Sequence, residues 1–160
     1  MKQLWAPWRM EYILGDKSKG CIFCHNLSAK HSKKKLILHH GKLSLVMLNR
    51  YPYTNCHLLV APRKHTDKLD GLTRAESLDL FLMLRKSVNI LKEAIKPDGF
   101  NVGMNLGRIA GAGVKDHIHF HIVPRWSGDT NFMPVLADSV VVPEHLENAY
   151  KRLIPFFKKL

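Results

Sequence analysis

Three cysteines in 160 residues are too few and too unevenly spaced to staple a fold, which excludes the small cystine-bonded scaffolds. No apolar run approaches the roughly 20 residues of a membrane-spanning helix. The N-terminus lacks the succession of basic start, apolar stretch and small-residue cleavage site that exports a chain, so a cytoplasmic protein is expected. Acidic residues are scarce, 13 against 25 Lys and Arg. The formal charge of +12 attracts polyanions such as nucleotides, polyphosphates or nucleic acid, without choosing among them. Part of that charge is local, in the stretch 30–35 and the closing 156–160. Repeats, low-complexity tracts and linkers are also missing, so residues 1–160 are expected to form a single domain, with 1–20 as an aromatic extension carrying Trp5, Trp8 and Tyr12.

What is present is histidine in a pattern. His117, His119 and His121 alternate with Ile118, Phe120 and Ile122. A strand sends every second side chain to one face, which predicts a row of imidazoles on one side and packing residues on the other. Just before them, Asn105–Gly113 is a small-residue loop whose backbone can approach an anion closely. Imidazoles beside an anion cradle point to phosphorus chemistry.

The rest of the chain predicts an α+β domain with one antiparallel sheet. Leu36–Leu38, Leu43–Leu48 and His57–Ala61 read as strands of a meander. Thr73-Arg74-Ala75-Glu76 is a capping box, and Leu78, Phe81, Leu84, Val88, Leu91 and Ile95 then recur at helical spacing up to Pro97-Asp98-Gly99. That long amphipathic helix should cover one sheet face and leave the histidine face open. Residues 100–105 re-enter the sheet, and His117–Val123 runs back beside them. A weak strand signal follows at Val140–Val142, then a C-terminal helix over Pro143–Leu153. Cys21 and Cys24 stand at metal-knuckle spacing and need two further ligands, for which histidines serve; Cys56 reads as a small packed residue.

His117-x-His119-x-His121 followed by two apolar residues resembles the histidine-triad (HIT) superfamily of nucleotide hydrolases and transferases. The flanks, Leu4–Ile13, Ala110–Gly113, Val123–Trp126 with Gly128-Asp129, and Asn131–Met133, look like its diadenosine tetraphosphate phosphorylase or hydrolase branch. The resemblance spans about Trp5 to Pro143. It implies that His119 is the nucleophile, with His121 its phosphate or hydrogen-bonding partner. By the same resemblance Asn49 meets the ribose, Tyr51 and Pro52 wall the base site, and Asn105, Gly111 and Gly113 hold phosphate. Zinc-containing relatives imply that His65 and His117 complete a structural Zn2+ site with Cys21 and Cys24. Most relatives carry glycine just before the histidine that matches His57, where this chain has Cys56. A homodimer is implied, with a tetramer open through the aromatic N-terminus.

These readings converge on a dinucleoside polyphosphate hydrolase or phosphorylase acting through an AMP-histidine intermediate. A neutral imidazole can attack phosphorus without adding negative charge. Two alternatives remain open at this level. The histidines and cysteines could form a catalytic zinc site with metal-activated water, although its ligands would consume the nucleophile. The chain could instead be a zinc-braced nucleotide- or nucleic-acid-binding module without turnover. Nucleic acid is the less expected partner, and no membrane partner is expected.

Overall fold

The computed structural model describes residues 20–24, 32–129 and 144–160. The aromatic extension, Asn131–Met133 and the strand signal at Val140–Val142 lie outside the described residues. Five strands form one sheet: β1 Ile37–His40, β2 Ser44–Leu48, β3 Leu58–Pro62, β4 Gly99–Met104 and β5 Phe120–Arg125. Their order is β1-β2-β3-β5-β4, with every neighbouring pair antiparallel. All five residues of β2 and of β3 are buried, as expected of central strands covered on both faces.

Helix α1, Arg74–Ile95, connects β3 to β4, and α2, Leu146–Phe157, closes the chain. The capping box forms as read: the Glu76 amide donates to Thr73 Oγ1 at 3.2 Å, and the Thr73 amide to Glu76 Oε2 at 2.8 Å. Lys96 ends the helix in the left-handed region at φ +45°, and Pro97 prevents continuation. Helix α2 sits about one turn later than its sequence signal, because Tyr150, Leu153 and the fully buried Phe157 all pack into the core.

The face of α1 that packs overlaps the predicted stripe without coinciding with it: Leu84 and Leu91 are buried as read, and Val88 and Ile95 pack against the core. Leu80, Met83, Leu84, Ser87, Ile90 and Leu91 are buried, whereas Leu78 and Phe81 are 58% and 63% exposed. Helical spacing fits two overlapping faces of this sequence, and the joint demand of the sheet and α2 selects one of them. The other face, with Phe81 and Val88, borders Val102 of edge strand β4 around an open apolar hollow of about 340 Å³.

The main core lies between the sheet and the two helices, built from Leu38, Val46, Leu48, Leu58, Val60 and Ile122 against α1 and α2. Residues of opposite parity, Leu45, Met47, Leu59 and Ala61, pack with Phe23 on the other face. The β3–β5 register sets His121 beside Leu59, so the histidines share that second face, away from the helices.

Candidate active site

Strand β5 begins at Phe120, so only His121 of the three histidines lies in the ladder rather than all of His117–His121. The backbone upstream is diverted: the Ile118 amide donates to Thr66 O at 2.8 Å, outside the β3 pairing. Alternation nevertheless persists. Ile118 and Ile122 are buried, while the His119 and His121 rings stand 4.9 Å apart, and Phe23 lies 4.9 Å from His117 and 5.0 Å from His119.

Backbone groups decide which nitrogen of each ring carries its proton. His119 Nδ1 lies 2.9 Å from the His117 carbonyl, which can only accept, so Nδ1 holds the proton and Nε2 keeps its lone pair. His117 is the reverse: Nε2–H donates to Pro62 O at 2.8 Å, leaving Nδ1 as the open donor atom. The Tyr53 amide donates to His57 Nδ1 at 3.1 Å. His57 Nε2–H therefore donates to His121 Nδ1 at 2.9 Å, and the proton of neutral His121 resides on Nε2.

All four rings are held neutral. Burial lowers His119 below the ordinary imidazole value, although its bond to His117 pulls the other way. Burial, with His119 nearby, lowers His121 to about 4. Burial, then His121 and His119, lowers His57 to about 3. Burial also lowers His117, opposed by its bond to Pro62 and reinforced by His65 and His119.

At the other end of the row Cys21, Cys24, His65 and His117 bring one donor atom each to within 4.8 Å of one another. Cys21 Sγ and Cys24 Sγ lie 3.2 and 3.5 Å from His117 Nδ1, Cys24 Sγ lies 3.2 Å from His65 Nδ1, and the two Nδ1 atoms are 3.3 Å apart. Metal–sulfur bonds of about 2.3 Å and metal–nitrogen bonds of about 2.0 Å in a tetrahedron give donor–donor edges of roughly 3.3–3.8 Å. The cluster fits. Pro62 already orients His117 with its lone pair inward, as an outer-shell acceptor does at a metal site. Burial and the Cys21 thiol push Cys24 up to about 11, a cost that a bound dication reverses by stabilising the thiolate.

Past His121 a cavity of about 450 Å³ is lined by Tyr53, Asn101, Gly103, Asn105 and Arg125 among others. The remaining predicted contact residues fall around the row. Asn49 sits with Nδ2 3.3 Å from His57 Nδ1 and accepts the Tyr51 amide at 3.0 Å, so it braces the loop that carries Tyr51. Tyr51 is 36% exposed at the rim. Asn105 Nδ2 donates to Gly111 O at 3.3 Å. Gly111 takes φ +90°, which a side chain would resist. Its amide and that of Ala112 are spent inside the loop, on Arg108 O and Gly107 O at 3.0 and 3.2 Å. At Gly113 a β-carbon would meet nothing within 4 Å, so this stretch of the loop is open to a ligand.

The HIT domain family matches residues 30–128. The chain is 35% identical to AP-4-A phosphorylase of Mycobacterium tuberculosis, over 96% of its own length and 83% of the relative's. This chain belongs to the HIT family. It is also 33% identical to the asymmetrical bis(5'-nucleosyl)-tetraphosphatase of Schizosaccharomyces pombe, over 58% of this chain and 50% of that one. A zinc-bound histidine triad family protein from Mycobacterium smegmatis matches the HIT fold described here with a TM-score of 0.68 at 25% identity, over 88% of this chain and 94% of that one.

Two features of this HIT domain lie outside the histidine motif itself. His57 is fully buried and touches His121; in the sequence only the family resemblance points to it, and the pairing of Leu59 with His121 brings it to the row. Cys56, standing where most relatives have glycine, takes the left-handed conformation at φ +57° while its thiol is buried. The turn keeps its shape at a cost of about 1 kcal/mol of backbone strain. The buried imidazoles also predict a pH dependence. Unfolded, His57 and His121 titrate near 6.5; folded, near 3 and 4. Their lowered values make the stability contribution complete above about pH 6.5 and lost as pH falls through about 4. Melting temperature should be level from pH 8 to 7 and decline from 6.5 to 4.5, with the His57 ring signals in NMR unshifted down to pH 5; titration of His57 near 6.5 would contradict the assignment.

Proposed function

We propose that the chain is a dinucleoside polyphosphate phosphorylase or hydrolase, with diadenosine tetraphosphate as substrate and His119 as nucleophile. The observation that carries this reading is the His119 Nδ1–H bond to the His117 carbonyl, which leaves the lone pair on Nε2 of a ring that burial keeps neutral. Nε2 attacks the α-phosphorus, the bond from phosphorus to the bridging oxygen breaks, and a nucleoside triphosphate leaves. The positive charge that develops on the ring is met by the His117 carbonyl, and His121 Nε2–H donates to the departing or equatorial oxygens. Asn105 and the open loop at Gly113 flank the phosphates, while Asn49 and Tyr51 lie toward the transferred nucleoside. In the second step water or phosphate attacks, the phosphorus–nitrogen bond breaks, and AMP or ADP is released. The likeness to AP-4-A phosphorylase over 96% of the chain favours phosphate as the acceptor.

Incubation with diadenosine tetraphosphate and inorganic phosphate should yield ADP and ATP. AMP and ATP in phosphate buffer would make water the acceptor. A basic, +12 chain is also what a nucleotide- or nucleic-acid-binding module requires, and tight nucleotide binding with no product in either buffer would select that reading.

Zinc at Cys21, Cys24, His65 and His117 would be structural in this scheme: four protein donors close the shell and leave His119 free of metal, so the ion braces the segment bearing Phe23 against the histidine row. The second apolar face of α1 with edge strand β4 supports a homodimer, since Phe81 and Val102 would otherwise stay in water. No helix among the described residues is long and apolar enough to cross a membrane. Cys21, Cys24 and Cys56 form no disulfide with one another, which favours a reducing compartment such as the cytoplasm. Native mass spectrometry of protein purified without chelator should show a dimer with one zinc per chain. A metal-free monomer of full turnover would contradict both assignments.

A further inference from the structure

Glu144 stands two residues ahead of α2, far in sequence from the histidines, yet its side chain is only 13% exposed and both of its carboxylate oxygens are engaged. Arg152 Nη2 donates to Oε1 at 2.7 Å, and Asn55 Nδ2 donates to Oε2 at 2.8 Å. Asn55 belongs to the loop between β2 and β3. Its own Oδ1 receives the Cys56 thiol at 3.6 Å. Burial and then the charge of Glu144 push that thiol up to about 12, so it stays a donor. The bonds therefore run in one direction. Asn55 turns its oxygen to Cys56 and its amide hydrogens to Glu144, and a carboxylate can accept from Asn55 and Arg152 at once.

The loop needs such a hold. Cys56 keeps its left-handed conformation at φ +57° only because contacts on either side over-determine it. Its side chain joins Ala149, Tyr150 and Leu153 of α2 in the core, and Thr54 Oγ1 donates to the Pro124 carbonyl of β5 at 2.9 Å. Between these two neutral anchors Asn55 is tied to a charge. Asn55 is also midway between the Tyr53 amide and His57 Nδ1, the donor and acceptor of the bond that puts the His57 proton on Nε2 and, through it, the His121 proton on Nε2. We infer that Glu144 is a positioning residue for the reaction: it holds Asn55, and with it the turn from Tyr53 to His57, in the geometry that keeps His57 Nδ1 occupied and leaves His121 a donor. The inference rests on the proposed use of His121 Nε2–H at the phosphate oxygens. It adds the start of the C-terminal helix to the elements that set the histidine row.

Long-range 15N–1H spectra of the full chain, as purified and labelled in its histidines, report which ring nitrogen carries hydrogen. In the parent, His57 and His121 should each show a single Nε2–H tautomer. Glu144→Ala and Asn55→Ala should both give mixed tautomers at His57 and His121, while His119, bonded to the His117 carbonyl, keeps Nδ1–H. With diadenosine tetraphosphate and phosphate, kcat should fall about tenfold in each single variant and no further in the double one. KM should stay within about twofold, because Asn49 keeps its own bonds to the Tyr51 amide and the His57 carbonyl. Glu144→Gln still offers an oxygen to Asn55, so it should keep the tautomers of the parent and its kcat within about twofold. Should Glu144→Ala fail to fold, Asn55→Ala carries the test, since it leaves the pair of Glu144 and Arg152 in place. Single tautomers at His57 and His121 in a folded Glu144→Ala or Asn55→Ala protein would overturn the positioning role, as would a level kcat with mixed tautomers, or additive losses in the double variant. A parent without turnover would count against the proposed reaction alone, and the tautomers would then decide on Glu144.

Discussion

A backbone group bound to one nitrogen of an imidazole decides what the other nitrogen can do, and this site uses that constraint repeatedly. The Pro62 carbonyl claims His117 Nε2, which turns Nδ1 to the two cysteines and His65. Two residues later the His117 carbonyl claims His119 Nδ1, which leaves the lone pair on Nε2. The Tyr53 amide claims His57 Nδ1, and the choice is passed on through His57 Nε2 to His121. Three side chains of one chemical type, at alternate positions of one segment, thereby acquire three different capacities. Burial reinforces the division by keeping the rings uncharged, so that each has a lone pair to offer.

The fold serves this arrangement by keeping its two faces distinct. The helices bury one face of the sheet, and the histidines stand on the other with Phe23 packed against His117 and His119. Phe23 lies between Cys21 and Cys24, so a metal held by those thiols would also hold the ring packed against His119. The β3–β5 pairing does the corresponding work at the other end, setting His57 under His121. A change that slipped this register by one residue would turn His121 into the helix-facing core and break the relay.

Much of this was legible in the amino-acid sequence wherever the signal is local. The alternating histidines, the Thr73–Glu76 capping box, the short central strands and the Cys21–Cys24 spacing are properties of a few neighbouring residues, and each has its counterpart in the fold. Properties that depend on what lies across the sheet were not. Periodicity places Leu84 and Leu91 on the packed face of α1 but cannot exclude Leu78 and Phe81, which match helical spacing as well as Leu80 and Met83 do. The strand was drawn through His117 because alternation does not report that the Ile118 amide bonds to Thr66. His65 was connected to the cysteines only through family resemblance, since 41 residues separate it from Cys24 and no local pattern joins them. His57 and Tyr53 needed the pairing register and the course of the loop before them. Cys56 was the informative exception: a residue out of keeping with the family marked a turn that does adopt the left-handed conformation.

The central claim is that the backbone bond from His119 Nδ1 frees Nε2 to carry the adenylyl group. Rapid quenching of the full-length protein with diadenosine tetraphosphate labelled at the α-phosphates, followed by peptide mapping, tests it most directly. The account predicts an acid-labile, base-stable adenylyl adduct on Nε2 of His119 that forms and decays within turnover and is missing in His119→Gly. An adduct on another residue, or undiminished turnover by His119→Gly, would contradict it.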